Sequence, residues 1–114
     1  MLRASFLLAL LVAACSKGPD ADLPSIGEAR SLVAEWALVN DQAAKGQLTQ
    51  TYTDTMRKQL REQLQQTASA LTQPDSRYGK EIQAALAQPD DAPSSQLRAR
   101  AEALKQQEDS LESA

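Results

Sequence analysis

The chain of 114 residues contains no histidine and a single cysteine, Cys15. Without histidine it lacks the commonest general base at neutral pH and the commonest metal ligand. A lone cysteine cannot form a disulfide within the chain, and its free thiol would be a liability in an oxidising compartment. The four glycines are scattered and form no phosphate-binding loop. We therefore expect a protein that is not an enzyme and that has no metal site and no small-molecule substrate.

Aromatic residues are few, at 4% of the chain, and basic residues are not in excess. Twelve Lys and Arg stand against fifteen Asp and Glu, which gives a net charge of −3 and a pI near 4.9. A nucleic-acid-binding domain usually has a basic face or a pI above about 9. Nucleic acid is therefore not an expected partner.

The first fourteen residues differ in character from the rest. Arg3 is the only charged residue among them, and residues 6–14 form an uninterrupted run of apolar and small side chains. That run is too short to span a hydrocarbon core of about 30 Å, which takes about 20 residues. A basic start, an apolar middle and small residues at the end are typical of a signal peptide. The sequence predicts a signal peptide at residues 1–14.

The run ends in Val12-Ala13-Ala14-Cys15, which resembles the lipobox of bacterial lipoproteins. The resemblance implies that diacylglycerol is attached to the Cys15 sulfur and that the lipoprotein signal peptidase recognises the three preceding residues and cleaves before Cys15. It also implies acylation of the new amino group, so the covalent lipid is the only cofactor expected. Two or three acyl chains anchor a protein stably, whereas one binds reversibly. The alternative is an ordinary secreted protein in which Cys15 has no role.

The residue after the cysteine is Ser16. By the same resemblance, serine there favours sorting to the outer membrane, with the protein facing the periplasm. Residues 16–24 are polar and include two prolines and a glycine, so we predict a lipidated cysteine and flexible tether over 15–24. Nine residues reach at most about 30 Å. The tether would keep the body close to the membrane.

The remaining residues, 25–114, are predicted to form an all-α domain, a small bundle of three to four short helices. From Cys15 onward, large aliphatic residues number only 15 in 100, beside 16 alanines and 13 glutamines, both good helix formers. The capping box Ser25–Glu28 predicts the first helix start and Gly46 its end. Further helices are predicted at about 49–72, 76–87 and 94–111, and no strand-like alternation occurs.

Each predicted helix carries an apolar stripe that should form a thin core. Asn40 occupies one position of the first stripe, either as a buried residue that sets register or at the stripe edge. The predicted stripe residues are Ile26, Ala29, Val33, Trp36 and Ala43; Tyr52, Met56, Leu60, Leu64 and Leu71; Tyr78, Ile82 and Leu86; and Leu97, Ala101, Leu104 and Leu111.

Four side chains are candidate contacts with a partner. Trp36 is the only tryptophan, a residue type favoured at interfaces, although its stripe position also fits the core. Arg57, Lys58 and Arg61 form a basic cluster, either for an acidic partner or headgroups, or as a solvated face balanced by acidic neighbours. The adjacent Asp90-Asp91 pair is interpreted as charge at the start of the last helix and not as a cation site.

The sequence therefore favours a lipid-anchored helical protein that works through contacts with another protein or with itself in the cell envelope. The alternative is a small inhibitor or immunity lipoprotein that blocks a toxin or a cell-wall hydrolase. A small lysis or stress lipoprotein is a third interpretation. The partner's identity does not follow from the residues.

Overall fold

The computed structural model describes residues 19–114, which form four α-helices and no strand. These helices are α1, Pro19–Ala44; α2, Gln50–Ser69; α3, Arg77–Leu86; and α4, Ser94–Glu112. The predicted all-α bundle is confirmed. The predicted bounds of α3 and α4 are correct to within one residue, whereas α2 ends three residues before its predicted end.

α1 lies at the centre of the bundle. It packs against α4 and α2 along most of its length, and the short α3 packs mainly on α4 and α2. Because α1 is covered on two sides, its buried face is wider than the predicted stripe and also includes Leu32, Ala37 and Val39. The predicted stripe residues Ile26 and Val33 are completely buried. The core is rich in alanine, as the composition indicated.

The stripe of α2 is shifted from its predicted position. Leu60 and Leu64 are buried as predicted, and Met56 packs partly buried against them. Tyr52 is 51% exposed, so its assignment to the core is wrong, and Thr53 is buried instead. Two side chains seven residues apart on a helix point in directions that differ by about 20° around its axis, whereas two that are eight apart differ by about 80°. Thr53 therefore shares the line of Leu60, and Tyr52 does not.

The described part of α1 extends to Pro19, six residues before the predicted start at Ser25. Residues 19–24, predicted as tether, belong to the helix, and Pro24 lies inside it. Proline has no backbone N–H, so the helix lacks the bond that residue 24 would donate to the carbonyl of Asp20. Ser25 is consequently not an N-cap, and the predicted capping box is wrong. The predicted signal peptide and the first part of the tether lie outside the described residues.

The start of α1 is fastened by a buried carboxylate, Asp22, which is 1% exposed. It accepts hydrogen bonds from the backbone N–H groups of Thr72 (2.8 Å) and Gln73 (3.1 Å) and from the hydroxyl of Tyr78 (2.5 Å). Burial alone would raise the pKa of Asp22, but the hydrogen bonds from Thr72, Tyr78 and Gln73 outweigh it and hold the pKa below its usual value. Burial and the bond to Asp22 raise the pKa of Tyr78.

The predicted end of α1 at Gly46 is confirmed. Gly46 has a φ of +70°, a conformation that suits glycine because other residues are strained there. The N–H of Gln47 donates to the carbonyl of Gln42, and that of Gly46 donates to Ala43, both at 3.0 Å. This pattern is a Schellman motif, and it turns the chain towards α2.

The next two helix starts have side-chain caps. The Thr49 hydroxyl accepts from the backbone N–H of Tyr52, and the Ser76 hydroxyl accepts from that of Gly79. Such caps pair N–H groups that have no partner within the helix. They explain why local sequence patterns located these two starts.

Two glycines stand where other parts of the chain approach closely. A Cβ on Gly79 would lie less than 3.0 Å from the backbone carbonyl oxygen of Pro74, and a Cβ on Gly27 less than 3.0 Å from the carboxylate of Glu108. The first neighbour is backbone in a tight loop. The second is the end of a flexible side chain, held by an ion pair with Arg30 at 3.0 Å.

We expect Gly79→Ala to lower the free energy of unfolding by about 1–3 kcal/mol, because the loop must move to admit the methyl group. Gly27→Ala is the matched control. There the gain in helix propensity, about 1 kcal/mol, offsets the displacement of a side chain, so the net change should be small. Urea titration followed by circular dichroism measures both. Equal effects of the two substitutions would contradict the close approach at Gly79.

We expect Asp22→Asn to destabilise the fold by about 3 kcal/mol at neutral pH, because it removes a charged acceptor from three donors, of which the Tyr78 hydroxyl is buried. The pKa of Asp22 is lower in the folded state than the unfolded value of 3.8. Its contribution is therefore complete above about pH 4 and is lost as pH falls through the folded pKa. Urea midpoints measured from pH 7 to pH 2 should converge for the wild type and the variant. A difference that does not change with pH would contradict this.

Candidate functional site

The residues of the predicted lipid anchor lie outside the described residues, so the roles assigned to them stay predictions. They are Val12, Ala13, Ala14, Cys15 and Ser16. The other predicted contact residues lie on α1 and α2, and they are Trp36, Arg57, Lys58 and Arg61. Trp36 and Arg61 bind the loop between α3 and α4, residues 87–93. Arg57 binds Asn40, which contacts the same loop.

Two side chains of α1 bind the carbonyl groups of that loop. The indole Nε1 of Trp36 donates to the carbonyl of Asp90 at 2.9 Å. The amide of Asn40 donates to the same carbonyl at 3.0 Å and to that of Ala92 at 2.8 Å. Trp36 and Asn40 are four residues apart, so they project from one face of α1. They give the loop carbonyls hydrogen-bond donors that water would otherwise supply.

Arg61 of α2 binds the same loop from the other side. Its guanidinium donates to the carbonyls of Leu86 (3.0 Å) and Gln88 (2.8 Å) and lies 3.2 Å from the carboxylate of Asp90. It also stands 5.1 Å from the centroid of the Trp36 ring, within the range of a cation–π contact. The last carbonyls of a helix lack partners and carry partial negative charge, which a cation stabilises. We call Trp36, Asn40 and Arg61 the loop clamp.

Asn40 is 5% exposed, so it is a buried polar residue and not one at the edge of the stripe. Its side-chain oxygen accepts a hydrogen bond from Nε of Arg57 at 2.8 Å. Together with the bonds to the loop, this uses both the amide and the carbonyl of the side chain. Asn40 thus joins α1, α2 and the loop in one register, the alternative that the sequence left open.

The four predicted contact residues differ in how far they are exposed to a partner. Trp36 is 1% exposed, which confirms its core alternative and removes it from any partner surface. Arg57 and Arg61 are partly buried and bonded within the bundle. Lys58 is exposed and makes no ion pair within residues 19–114. Of the predicted basic cluster, only Lys58 is fully available to a partner.

Asp90 has a different role from the one predicted. The carboxylate pairs with Arg61 at 3.2 Å, and the N-cap of α4 is Pro93, which has no side-chain capping bond. The interpretation of Asp90 as charge at the start of α4 is therefore wrong. Its backbone carbonyl accepts from Trp36 and Asn40 and its carboxylate pairs with Arg61, so both groups fasten the loop to α1 and α2.

A groove of about 370 Å³ lies between α2 and this loop. It has three basic and three acidic side chains, and one of the basic ones, Arg61, already binds Leu86, Gln88 and Asp90. Such a balanced lining suits a polar protein surface better than a small anion. The lining residues are Asp54, Arg57, Lys58, Arg61, Glu62, Gln65 and Asp90.

Two large apolar side chains remain at the surface, Leu38 at 53% and Tyr52 at 51% exposure. We call them the exposed pair. The two residues lie on different helices, Leu38 on α1 and Tyr52 on α2. Sequence reasoning missed Leu38, although an apolar residue outside the predicted stripe was a signal that could have identified it.

The described residues hold no group of three or more Cys, Asp or Glu side chains placed to bind a metal ion. None of the four helices is long and apolar enough to cross a bilayer. Comparison of the chain with protein-family models, curated proteins and solved structures found no match.

We expect Arg61→Ala to lower the free energy of unfolding by about 1–3 kcal/mol, because the carbonyls of Leu86 and Gln88 lose a charged donor. It should also shift the fluorescence of Trp36, whose ring it covers. Lys58→Ala is the matched control on the same helix and should stay within about 0.5 kcal/mol. Urea titration monitored by tryptophan emission tests both. If the two variants were equally stable, the loop clamp would not contribute as the contacts indicate.

Proposed function

We propose that this protein is lipid-anchored in the bacterial envelope and works through protein contacts on the periplasmic side of the outer membrane. The observation that carries the proposal is the sequence Val12-Ala13-Ala14-Cys15 at the end of a short apolar run with a basic start. Lipid on Cys15 also removes the reactivity of the only thiol.

The charge of the body supports a lipid anchor. Without residues 1–14 the chain keeps 11 basic and 15 acidic residues, because only Arg3 is lost. A body with this negative balance is not drawn to anionic lipid by charge. Stable attachment would therefore depend on the acyl chains.

The surface of the bundle supports a role in protein contact. The exposed pair, Leu38 and Tyr52, places apolar area on α1 and α2, and Lys58 adds an unpaired charge beside the groove. Aromatic side chains contribute strongly to protein interfaces. Leu38, Tyr52 and Lys58 are the contact residues we propose.

Mass spectrometry of the mature N-terminus, combined with membrane fractionation, tests the anchor. We expect the wild type to begin at Cys15 with two or three acyl chains and to fractionate with the outer membrane. Cys15→Ser should lack lipid and lose membrane association, and Ser16→Ala, with the cysteine intact, is the control that stays lipidated. A soluble wild type without lipid would contradict the proposal.

A photo-crosslinking residue at Leu38, with the same residue at exposed Ala99 of α4 as control, tests the contact surface. We expect crosslinks to a resident envelope protein or a second copy of the chain from position 38 only. Capture of an incoming toxin or of a cell-wall hydrolase would favour an inhibitor or immunity lipoprotein instead. Equal crosslinking from both positions would contradict the proposed surface.

A further inference from the structure

We infer that one particular end of the bundle rests on the lipid headgroups, with α1 directed away from the membrane. This anchor end consists of the first turns of α1, the loop between α2 and α3 at residues 70–76, and the last turn of α4. The inference rests on the proposed lipid at Cys15 and goes further, because it names the surface that meets the membrane and the headgroup chemistry that this surface fits.

The distance from the lipid to the helix is short. Only residues 16–18 separate Cys15 from Pro19, where α1 begins. Four steps along the chain span at most about 14 Å. The headgroup layer on each side of a bilayer is about 5–8 Å thick. The start of α1 is therefore held beside that layer, whereas the nine-residue tether predicted from sequence would have allowed about twice the distance.

The first turns of α1 are fastened to the rest of the bundle. The buried carboxylate of Asp22 binds the backbone of Thr72 and Gln73 in the loop between α2 and α3, and the hydroxyl of Tyr78 in α3. The body therefore cannot swing freely about a loose first turn, and the loop at residues 70–76 stays at the same level as the start of α1.

The end of α4 lies at this level as well. Glu108 pairs with Arg30 at 3.0 Å and sits against the backbone of Gly27. Leu111, one turn further on, packs against the core. Three of the elements thus reach the same end of the bundle, so the anchor end is a surface and not a single helix tip.

The exposed charges of the anchor end are mostly acidic. Asp109 is exposed but pairs with Lys105, and Lys17 precedes α1 in the sequence. Asp20, Asp75 and Glu112 are also exposed, against one further exposed basic residue, Arg77. None of these four takes part in an ion pair within residues 19–114. Anionic lipid attracts basic side chains and repels acidic ones. The anchor end therefore fits a zwitterionic headgroup layer, such as phosphatidylethanolamine.

The opposite end is carried far from the membrane. The 20 residues from Ser25 to Ala44 extend about 28 Å along α1. The loop clamp and the exposed pair lie towards that end, since Leu38 and Asn40 belong to the last two turns of α1. The proposed contact surface would thus project into the periplasm, where a partner can reach it.

Energy transfer from single labels on the protein to acceptor dyes in the headgroup layer tests this orientation. The lipidated full chain is reconstituted in vesicles of phosphatidylethanolamine and phosphatidylcholine. Because Cys15 is acylated, an introduced cysteine is the only free thiol. Four exposed alanines form a set: Ala70 at the anchor end, Ala34 midway along α1, Ala44 at the far end, and Ala99 of α4. Ala99 lies towards the far end, because its neighbour Arg98 pairs with Asp41 in the last turn of α1.

We expect the label at Ala70→Cys to lie nearest the bilayer and that at Ala44→Cys about 28 Å further away. The label at Ala34→Cys should give an intermediate distance, and that at Ala99→Cys a distance closer to that of position 44. Equal distances for positions 70 and 44 would overturn the inference, because the bundle would then lie flat. A protein that does not float with the vesicles would instead contradict the lipid anchor itself, so the two failures are distinguishable.

The lipid composition tests the headgroup chemistry separately. Replacing one third of the lipid by phosphatidylglycerol should leave the distance at position 70 unchanged or increase it. A shorter distance would show an attraction to anionic lipid and would overturn the zwitterionic assignment.

Discussion

The buried carboxylate of Asp22 is the contact that fastens the start of α1 to the loop after α2 and to α3. Three donors from the chain some 50 residues later, the N–H groups of Thr72 and Gln73 and the hydroxyl of Tyr78, bind it at one point. A buried charge is tolerated only when hydrogen bonds replace its water. These bonds hold the beginning of α1 in the helix across Pro24, and they join α1, the loop after α2, and α3.

At the other end of the bundle, the loop clamp fastens the loop between α3 and α4 to α1 and α2. Apolar packing alone gives little guidance on which loop lies where, since apolar contacts of similar size can replace one another. Hydrogen bonds from Trp36, Asn40 and Arg61 are directional, and each meets a particular carbonyl of residues 86–92. Polar contacts at both ends thus specify the arrangement of a thin core, as a buried asparagine does in coiled coils.

The parts of the fold that depend on neighbouring residues were predictable from sequence. Caps at Thr49 and Ser76 and the glycine at position 46 act within one turn, so the limits of most helices followed from local patterns. The start of α1 was not predictable, because it depends on partners of Asp22 about 50 residues away. In the candidate site, the core position of Trp36 followed from its stripe, whereas its bond to the carbonyl of Asp90 required the tertiary structure.

With the lipid that we propose on Cys15, a body fastened at the start of α1 would have a far surface at a defined height and direction, which a body on a long tether would not. Hydrogen exchange of the Thr72 and Gln73 amides in the membrane-anchored protein tests this fastening most directly. Both lie in an exposed loop, where amides ordinarily exchange fast. The account predicts slow exchange in the wild type and fast exchange in Asp22→Asn, with the amides of α4 unchanged. Fast exchange at both positions in the wild type would contradict it.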